Sequence, residues 1–333
     1  MQIGFIGLGK MGGNMVRRLT KAGHQCHIYS DDPAERAALA AETGAVAADR
    51  LAALVAGMEV PRTLWLMVPA GKITQGVIDD LVPLLAPGDS VVDGGNSYFK
   101  DSVARAQVLA KKGLSFIDCG TSGGLYGLER GYSLMIGGDD AAVARNAPIF
   151  ASLAPGIALA PRTPARENGP IAPGEEGWLH CGPPGSGHYV KMIHNGIEYG
   201  MMQAFAEGFA LFASASADTV PEQYRYRLDL AAIAEVWRRG SVVSSWLLDL
   251  GADALAENPD LSAYSPRVAD SGEGRWTVIA GVEQGVSVPV IAASLFERFS
   301  SHDDAAIDAR MLSALRAKFG GHKGVPAANS SKG

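Results

Sequence analysis

The chain has 333 residues, 47% hydrophobic and 19% charged, with a formal net charge of −6. This is ordinary globular composition, long enough for two domains with separate cores, and its acidic balance argues against broad nucleic-acid binding. No apolar stretch is expected to reach the roughly 18 residues of a membrane span, and the three scattered cysteines (Cys26, Cys119, Cys181) suit neither a disulfide framework nor a thiolate metal site.

The histidines give no metal constellation either, because neither His24/His27 nor His188/His194 has the spacing of a helical zinc site. No metal, nucleic-acid or membrane partner is therefore expected. The first residues have no basic region before their apolar run, so no signal peptide is read there, and the cytoplasm is the default compartment.

Residues 2–6 (QIGFI) read as a short apolar strand, followed by GLGKMG at 7–12 and a helical run, GNMVRRLTKAG. Strand, glycine loop and helix together are the dinucleotide-binding context. Gly7 makes the tight turn, Gly9 lets the backbone approach a pyrophosphate, and Gly12 lets helix and strand pack closely. Lys10 and Met11 complete the cradle at the helix N-terminus, where free N–H groups favour an anion. A second strand at 25–29 leads into Ser30-Asp31-Asp32-Pro33. A carboxylate about 20 residues past the loop accepts from ribose hydroxyls and repels a 2′-phosphate. Asp31 and Asp32 are both placed for this, so NAD is favoured and NADP is the lesser alternative.

Further strand signals at 63–68, 90–92, 115–117 and 133–136 alternate with helical stretches such as 73–85. That pattern predicts a parallel sheet with right-handed crossovers. Ligands bind beyond the carboxyl ends of such strands, where VPAGK (68–72), DGGNSYFKDS (93–102) and GTSGG (120–124) fall. These compositions also suit plain turns, but three such loops on one rim favour a site. Val68, Pro69, Ala70 and Asn96 join the cofactor candidates.

Beyond about residue 187 strand signals stop, and helices are expected at 188–213, 221–239, 241–250, 273–284, 288–301 and 303–319. The fold class expected is an α/β Rossmann-type dinucleotide-binding domain followed by an all-α helical domain. GPPGSG (182–187) marks the junction, giving domains over 1–182 and 183–322 and a flexible tail over 323–333.

Within the first of those helices Lys191, Asn195 and Glu198 stand at i, i+4 and i+7, one stripe of a helical face. Two turns, about 10.5 Å of rise, separate the amine from the carboxylate. A base and an acid facing one ligand are what a base-then-acid mechanism needs. His194 and Tyr199 lie beside them. Arg275, Arg298, Arg316 and His322 lie near helix ends and glycines; Arg suits bidentate phosphate binding, although each alone reads as a surface charge.

Together these motifs resemble 6-phosphogluconate dehydrogenase, the decarboxylating family, in its shorter bacterial form. The resemblance runs from GLGKMG through DGGNS, GTSGG and KMIHNGIEYG to GEGRWT (272–277) and RAKFGGH (316–322). KMIHNGIEYG is specific to the family, whereas GLGKMG and the SGG loop are shared with the wider β-hydroxyacid dehydrogenases. The longer form carries a second helical block that this chain lacks.

The resemblance implies that Lys191 is the base toward the carbon-3 hydroxyl and that Glu198 is the acid that protonates carbon-1 of the enediol. It implies oxidation and decarboxylation of 6-phosphogluconate to ribulose 5-phosphate and CO₂. Asn96, Ser122, Gly123, Gly124, His194 and Asn195 match contacts to the sugar acid. Tyr199, Arg275 and Arg298 match its phosphate contacts, position 275 being usually Lys in the long form. Arg316 and His322 match residues that come from a partner subunit's tail, which implies a homo-oligomer, dimer or tetramer. The long NADP-using members have Asn-Arg-Thr where this chain has Ser30-Asp31-Asp32, which again favours NAD. The alternatives are a dehydrogenase of the 3-hydroxyisobutyrate type acting on an unphosphorylated acid, and a non-catalytic sensor of dinucleotide and sugar phosphate.

Overall fold

The computed structural model describes residues 1–302 and 307–320. The chain begins with β1 (Gln2–Ile6), α1 (Lys10–Lys21), β2 (Gln25–Tyr29), α2 (Pro33–Thr43), β3 (Val46–Ala47) and α3 (Leu51–Ala56). It continues through β4 (Thr63–Leu66), α4 (Lys72–Leu81), β5 (Ser90–Asp93), α5 (Phe99–Ala110) and β6 (Ser115–Ser122). Then come the short α6 (Gly127–Arg130), β7 (Ser133–Gly137), α7 (Asp140–Leu153), the short α8 (Pro173–Glu176) and β8 (Trp178–Gly182). The eight strands form one sheet in the order β3-β2-β1-β4-β5-β6-β7-β8.

The strands are buried on both faces, so they read as near-continuous apolar runs whose alternate residues serve two cores. Ile3, Phe5, Trp65, Val92 and Ile117 join Met15, Leu19, Ile149 and Phe150 of α1 and α7 in one cluster. Ile6, Leu64, Leu66, Val91 and Phe116 join Leu54, Ile78, Leu81 and Leu109 of α3, α4 and α5 in the other. Because β2 and β4 flank β1 on opposite sides, the strand order reverses beside β1, where the crevice of a doubly wound sheet opens.

Three sequence expectations need correction. The sheet is mixed, since β7 pairs antiparallel with β6 (Cys119 opposite Ile136) while the other pairings are parallel. Strands β3 and β8 were not anticipated: one is two residues long on the sheet edge, and the other (WLHCG) carries no β-branched residue. Asp140–Leu159 does have the length and apolar composition of a membrane span. In the fold, however, Val143, Ile149, Phe150 and Leu153 of that stretch pack into the sheet core.

The remaining helices are α9 (Ser186–Ser214), α10 (Leu230–Arg238), α11 (Trp246–Glu257), α12 (Glu273–Gln284), α13 (Pro289–Ser300) and α14 (Ile307–Gly320). The 221–239 expectation shortens to a single turn at Glu222–Tyr224 and α10, which Asp229 starts by accepting from the Ala232 N–H. Ser245 caps α11 in the same way at the Leu248 N–H, so that helix begins later than expected. By compactness the chain forms two units, Met1–Glu198 with Gly272–Ser287, and Tyr199–Ser271 with Val288 onward. This division differs from a cut at 182/183.

The first unit keeps α12 because Trp276 packs on Tyr98 (ring centroids 5.0 Å) and Glu283 pairs with Lys100 at 2.6 Å. In the second unit Ala234, Leu248, Ala252 and Leu255 form a small core with Phe205, Phe209 and Trp237.

The start of α9 is seated on the sheet through glycines. A Cβ on Gly187 would lie 2.4 Å from the Met135 carbonyl, 2.6 Å from the Asp118 carbonyl and 2.6 Å from the Gly137 nitrogen. All three are backbone atoms that cannot swing away. Gly187→Ala is therefore expected to destabilise the protein by about 1–3 kcal/mol or more and to lower the thermal midpoint measured by circular dichroism.

Candidate active site

Asp118 is the last residue of β6 paired with β5, and both its oxygens accept from the backbone where α9 begins. The Gly185 N–H donates to Oδ1 at 2.6 Å and the His188 N–H to Oδ2 at 2.8 Å. The carboxylate thereby satisfies N–H groups that a helix start otherwise leaves unpaired. His188, itself buried, lies 2.8 Å from the Ser102 hydroxyl of α5. Gly120 lets the helix close on β6, where a Cβ would fall 2.3 Å from the Lys191 Cβ. Neither Asp118 nor Ser102 was singled out by sequence, because β6 and α9 lie far apart in the chain.

In the second turn of α9, Lys191 is buried and its Nζ donates to Asn195 Oδ1 at 2.5 Å. His194 Nδ1 lies 3.0 Å from that same oxygen, and its Nε2 lies 3.5 Å from the Ser122 hydroxyl. Donation from Nδ1 leaves Nε2 to accept from Ser122. Glu198, partly exposed, places Oε2 3.7 Å from His194 Nδ1. The predicted stripe is thus part of a connected polar chain, Ser122–His194–Asn195–Lys191, with Glu198 beside His194.

Burial holds the Lys191 amine below its ordinary 10.5, opposed by the charges of Glu198 and Glu273. Desolvation disfavours the ammonium, and nearby carboxylates favour it. An amine poised this way can work as a base near neutrality.

Asp93, at the end of β5, organises two of the predicted loops. Its carboxylate accepts from Gly95 N–H (3.1 Å), the Ser97 hydroxyl (2.7 Å) and Arg105 Nη1 (3.1 Å). Arg105 also donates to Gln75 Oε1 at 3.1 Å and to the Gly71 carbonyl at 3.4 Å. One buried guanidinium so joins the loop of Asn96 to the loop of Val68, Pro69 and Ala70. Asn96 itself is exposed on the rim. Sequence offered no sign of Arg105, which sits mid-helix between Ala104 and Ala106.

The dinucleotide motif has the required geometry. Gly7 has φ +91°, with the Met67 carbonyl 2.4 Å from where its Cβ would be. A Cβ on Gly12 would meet the Gly7 carbonyl at 2.1 Å, whereas one on Gly9 would point into open space. Gly9 caps α1 without any side-chain acceptor, and exposed Lys10 and half-buried Met11 open the helix. A pyrophosphate fits these first-turn N–H groups.

At the end of β2 the aspartates separate. Asp32 caps α2, accepting from the Ala34 and Glu35 N–H groups at 2.8 and 3.3 Å. Asp31 accepts only from the Tyr29 hydroxyl at 2.9 Å among the hydrogen bonds described. Arg36 folds back to the Ser30 carbonyl with its guanidinium 5.7 Å from the Tyr29 ring centre. These residues suit a dinucleotide, and Asp31 is the carboxylate better placed for its ribose.

Gly123 and Gly124 follow β6 with φ +138° and +53°, and Arg275 is exposed in the first turn of α12. In the second unit Tyr199 is buried, with its hydroxyl 3.1 Å from Ser271 Oγ. Arg298 stacks on the Tyr199 ring at 3.6 Å and donates to the Ala269 carbonyl at 2.7 Å. A guanidinium held flat in this way presents its fork edge-on, which suits a phosphate. The side chain of Arg316, within α14, and all of His322 and the 323–333 tail lie outside the described residues.

Two family models match the chain: the NAD binding domain of 6-phosphogluconate dehydrogenase over residues 2–160 and the 6-phosphogluconate dehydrogenase C-terminal domain over 187–319. The chain belongs to the 6-phosphogluconate dehydrogenase family. An NAD(+)-dependent, decarboxylating 6-phosphogluconate dehydrogenase of Haloferax volcanii is 43% identical, covering 97% of this chain and 98% of its own. A decarboxylating 6-phosphogluconate dehydrogenase of Synechococcus elongatus is 35% identical over 95% of this chain but only 62% of its own length.

Among solved structures, Plasmodium falciparum 6-phosphogluconate dehydrogenase superposes with a TM-score of 0.76 at 24% identity, over 100% of this chain and 67% of its own. Mycobacterium tuberculosis 3-hydroxyisobutyrate dehydrogenase also shares the fold, with a TM-score of 0.65 at 19% identity over 93% of this chain and 98% of its own. Fold alone does not separate these activities.

The split between the two aspartates can be tested directly. Asp31→Ala should raise the KM for NAD several-fold and narrow any preference over NADP. Asp32→Ala should mainly lower the thermal midpoint, because it removes a helix cap. Equal effects of both on the NAD KM would contradict the assignment.

Proposed function

We propose that the protein oxidises and decarboxylates 6-phosphogluconate to ribulose 5-phosphate and CO₂, with NAD as the preferred oxidant and NADP less favoured. The observation that carries this reading is the buried Lys191 amine, hydrogen-bonded to Asn195, with the Glu198 carboxyl further along the same helix face. Bound nicotinamide supplies the hydride acceptor.

In this reading neutral Lys191 takes the proton of the carbon-3 hydroxyl as carbon 3 becomes a ketone. The β-keto acid then loses its carboxyl group, and the electron pair of the broken bond moves toward the ketone. Lys191, now an ammonium, returns its proton to the ketone oxygen, leaving an enediol. Glu198 protonates carbon-1 of the enediol while Lys191, neutral again, takes the enol hydroxyl proton, which gives the ketopentose. Asn195 holds the amine in place, and His194 links it to Ser122.

Asn96, Ser122, Gly123 and Gly124 are assigned to the sugar acid, and Tyr199, Arg275 and Arg298 to the phosphate. Gly7, Gly9, Lys10, Met11, Gly12, Asp31, Val68, Pro69, Ala70 and Asn96 are assigned to the dinucleotide. Relatives named for this reaction along nearly the whole chain support the same reading. A homo-oligomer is part of the proposal, with Arg316 and His322 reaching a partner's site. It is supported by apolar residues left exposed in the second unit, such as Leu211, Val236 and Phe296.

Purified protein with 6-phosphogluconate should release one CO₂ per nicotinamide reduced, faster with NAD than with NADP. Lys191→Met should abolish both products. Glu198→Gln should slow turnover by roughly 10²-fold or more, as expected for losing a positioned acid. Arg298→Ala should raise the KM for the phosphorylated substrate steeply. Unchanged KM in that variant, with turnover of unphosphorylated 3-hydroxy acids, would instead favour the 3-hydroxyisobutyrate type. Because the amine must start neutral and its pKa lies below the ordinary 10.5, kcat/KM should fall only as pH drops through that lowered value.

A further inference from the structure

Glu273 opens α12, and its side chain is buried to 2% exposure. A buried carboxylate is costly unless compensating charge or hydrogen bonds surround it. Its own helix N-terminus supplies part of that compensation. The first turn of α12 is also fixed against α9, one residue from Lys191. Thr277 Oγ1 lies 2.8 Å from the Met192 carbonyl and 2.8 Å from the Glu273 carbonyl. Gly196 permits this approach, since a Cβ there would fall 2.7 Å from Thr277 Cγ2.

The charged and titratable groups around Lys191 can be taken element by element. On α9 they are His188, His194 and Glu198, and on β6 Asp118, whose carboxylate is committed to the Gly185 and His188 N–H groups. On α12 they are Glu273 and Arg275. Two of these carboxylates, Glu198 and Glu273, act on the amine to favour its charged form.

Resting on the proposed reaction, we propose that Glu273 is a positioning residue, the constant counter-charge that lets buried Lys191 carry a proton between oxidation and decarboxylation. Glu198 cannot fill that part throughout. As the acid that delivers a proton to carbon, it must itself be neutral just before it acts. Glu273, buried at the start of α12, takes no part in the bond-making steps. It balances the ammonium inside a site that otherwise expels charge.

The test is Glu273→Gln, which keeps the shape and removes the charge. The pH dependence of kcat/KM would be followed with 6-phosphogluconate and NAD. Lys191 acylation by an amine-selective reagent would be followed by mass spectrometry, without substrate or cofactor. Losing a counter-charge lowers the pKa of an amine, so both the acid limb and the acylation curve should move to lower pH by about one unit. Glu273→Asp should restore most of the shift.

A fall in kcat with both curves unmoved would overturn the proposal and leave Glu273 a packing residue. If Glu273→Gln does not fold, the smaller Glu273→Ser carries the same two titrations. Failure of the underlying reaction is read separately. Turnover surviving Lys191→Met would remove the base assignment, while the acylation shift would still report the charge coupling.

Discussion

The carboxylate of Asp118 fixes where α9, the helix of Lys191, starts on the sheet. It lies midway along a buried strand and takes two backbone hydrogen bonds from the start of α9. Through them the direction and rotation of that helix are tied to the sheet. The glycines at 120 and 187 remove the side chains that would hold the helix away. With the helix seated, Lys191 is pressed into a buried position, and burial lowers the pKa of its amine, as the proposed base requires. A helix displaced by the width of one methyl group would return the amine toward water and toward its ordinary protonated state.

The rest of the rim follows the same logic of buried charge held by fixed dipoles. Asp93 and Arg105 are both almost fully buried, and neither is tolerable alone in that environment. Paired, and bonded to Ser97, Gln75 and two backbone groups, they make the loops after β4 and β5 a single rigid piece. A dehydrogenase needs that rigidity, because hydride transfer requires two bound molecules held at a definite separation and angle. The polar networks are specific in geometry, whereas the sheet core beneath them is generic apolar packing.

Related folds carry out different chemistry on this framework, and the discriminating features are few. The glycine loop and parallel strands would serve any dinucleotide enzyme. The residues proposed to set the chemistry apart lie on the face of α9, in the first turn of α12 and in the stacked Arg298–Tyr199 pair. In α9 one helix face gathers an amine, an amide, an imidazole and a carboxylate, each within hydrogen-bonding or near-contact distance of the next. Such proximity lets one proton be taken up and given back within a single site.

The sequence by itself determined the strand–glycine loop–helix start, the acidic turn after β2, the helical second half and the Lys191–Asn195–Glu198 stripe. Each of these rests on short-range rules: the positive φ open to glycine, the 3.6-residue period, and the caps of helix ends. It could not show that β7 runs antiparallel or that α12 joins the first unit. Nor could it show that Asp32 is spent on capping α2 while Asp31 is not. The partnerships of Asp118 with the start of α9, and of Arg105 with Asp93 and two loops, were equally hidden. These outcomes depend on contacts between residues distant in the chain, where burial and hydrogen-bond satisfaction decide and local pattern has no influence. Only the tertiary structure brings a buried lysine, its counter-charges and its clamp to one place.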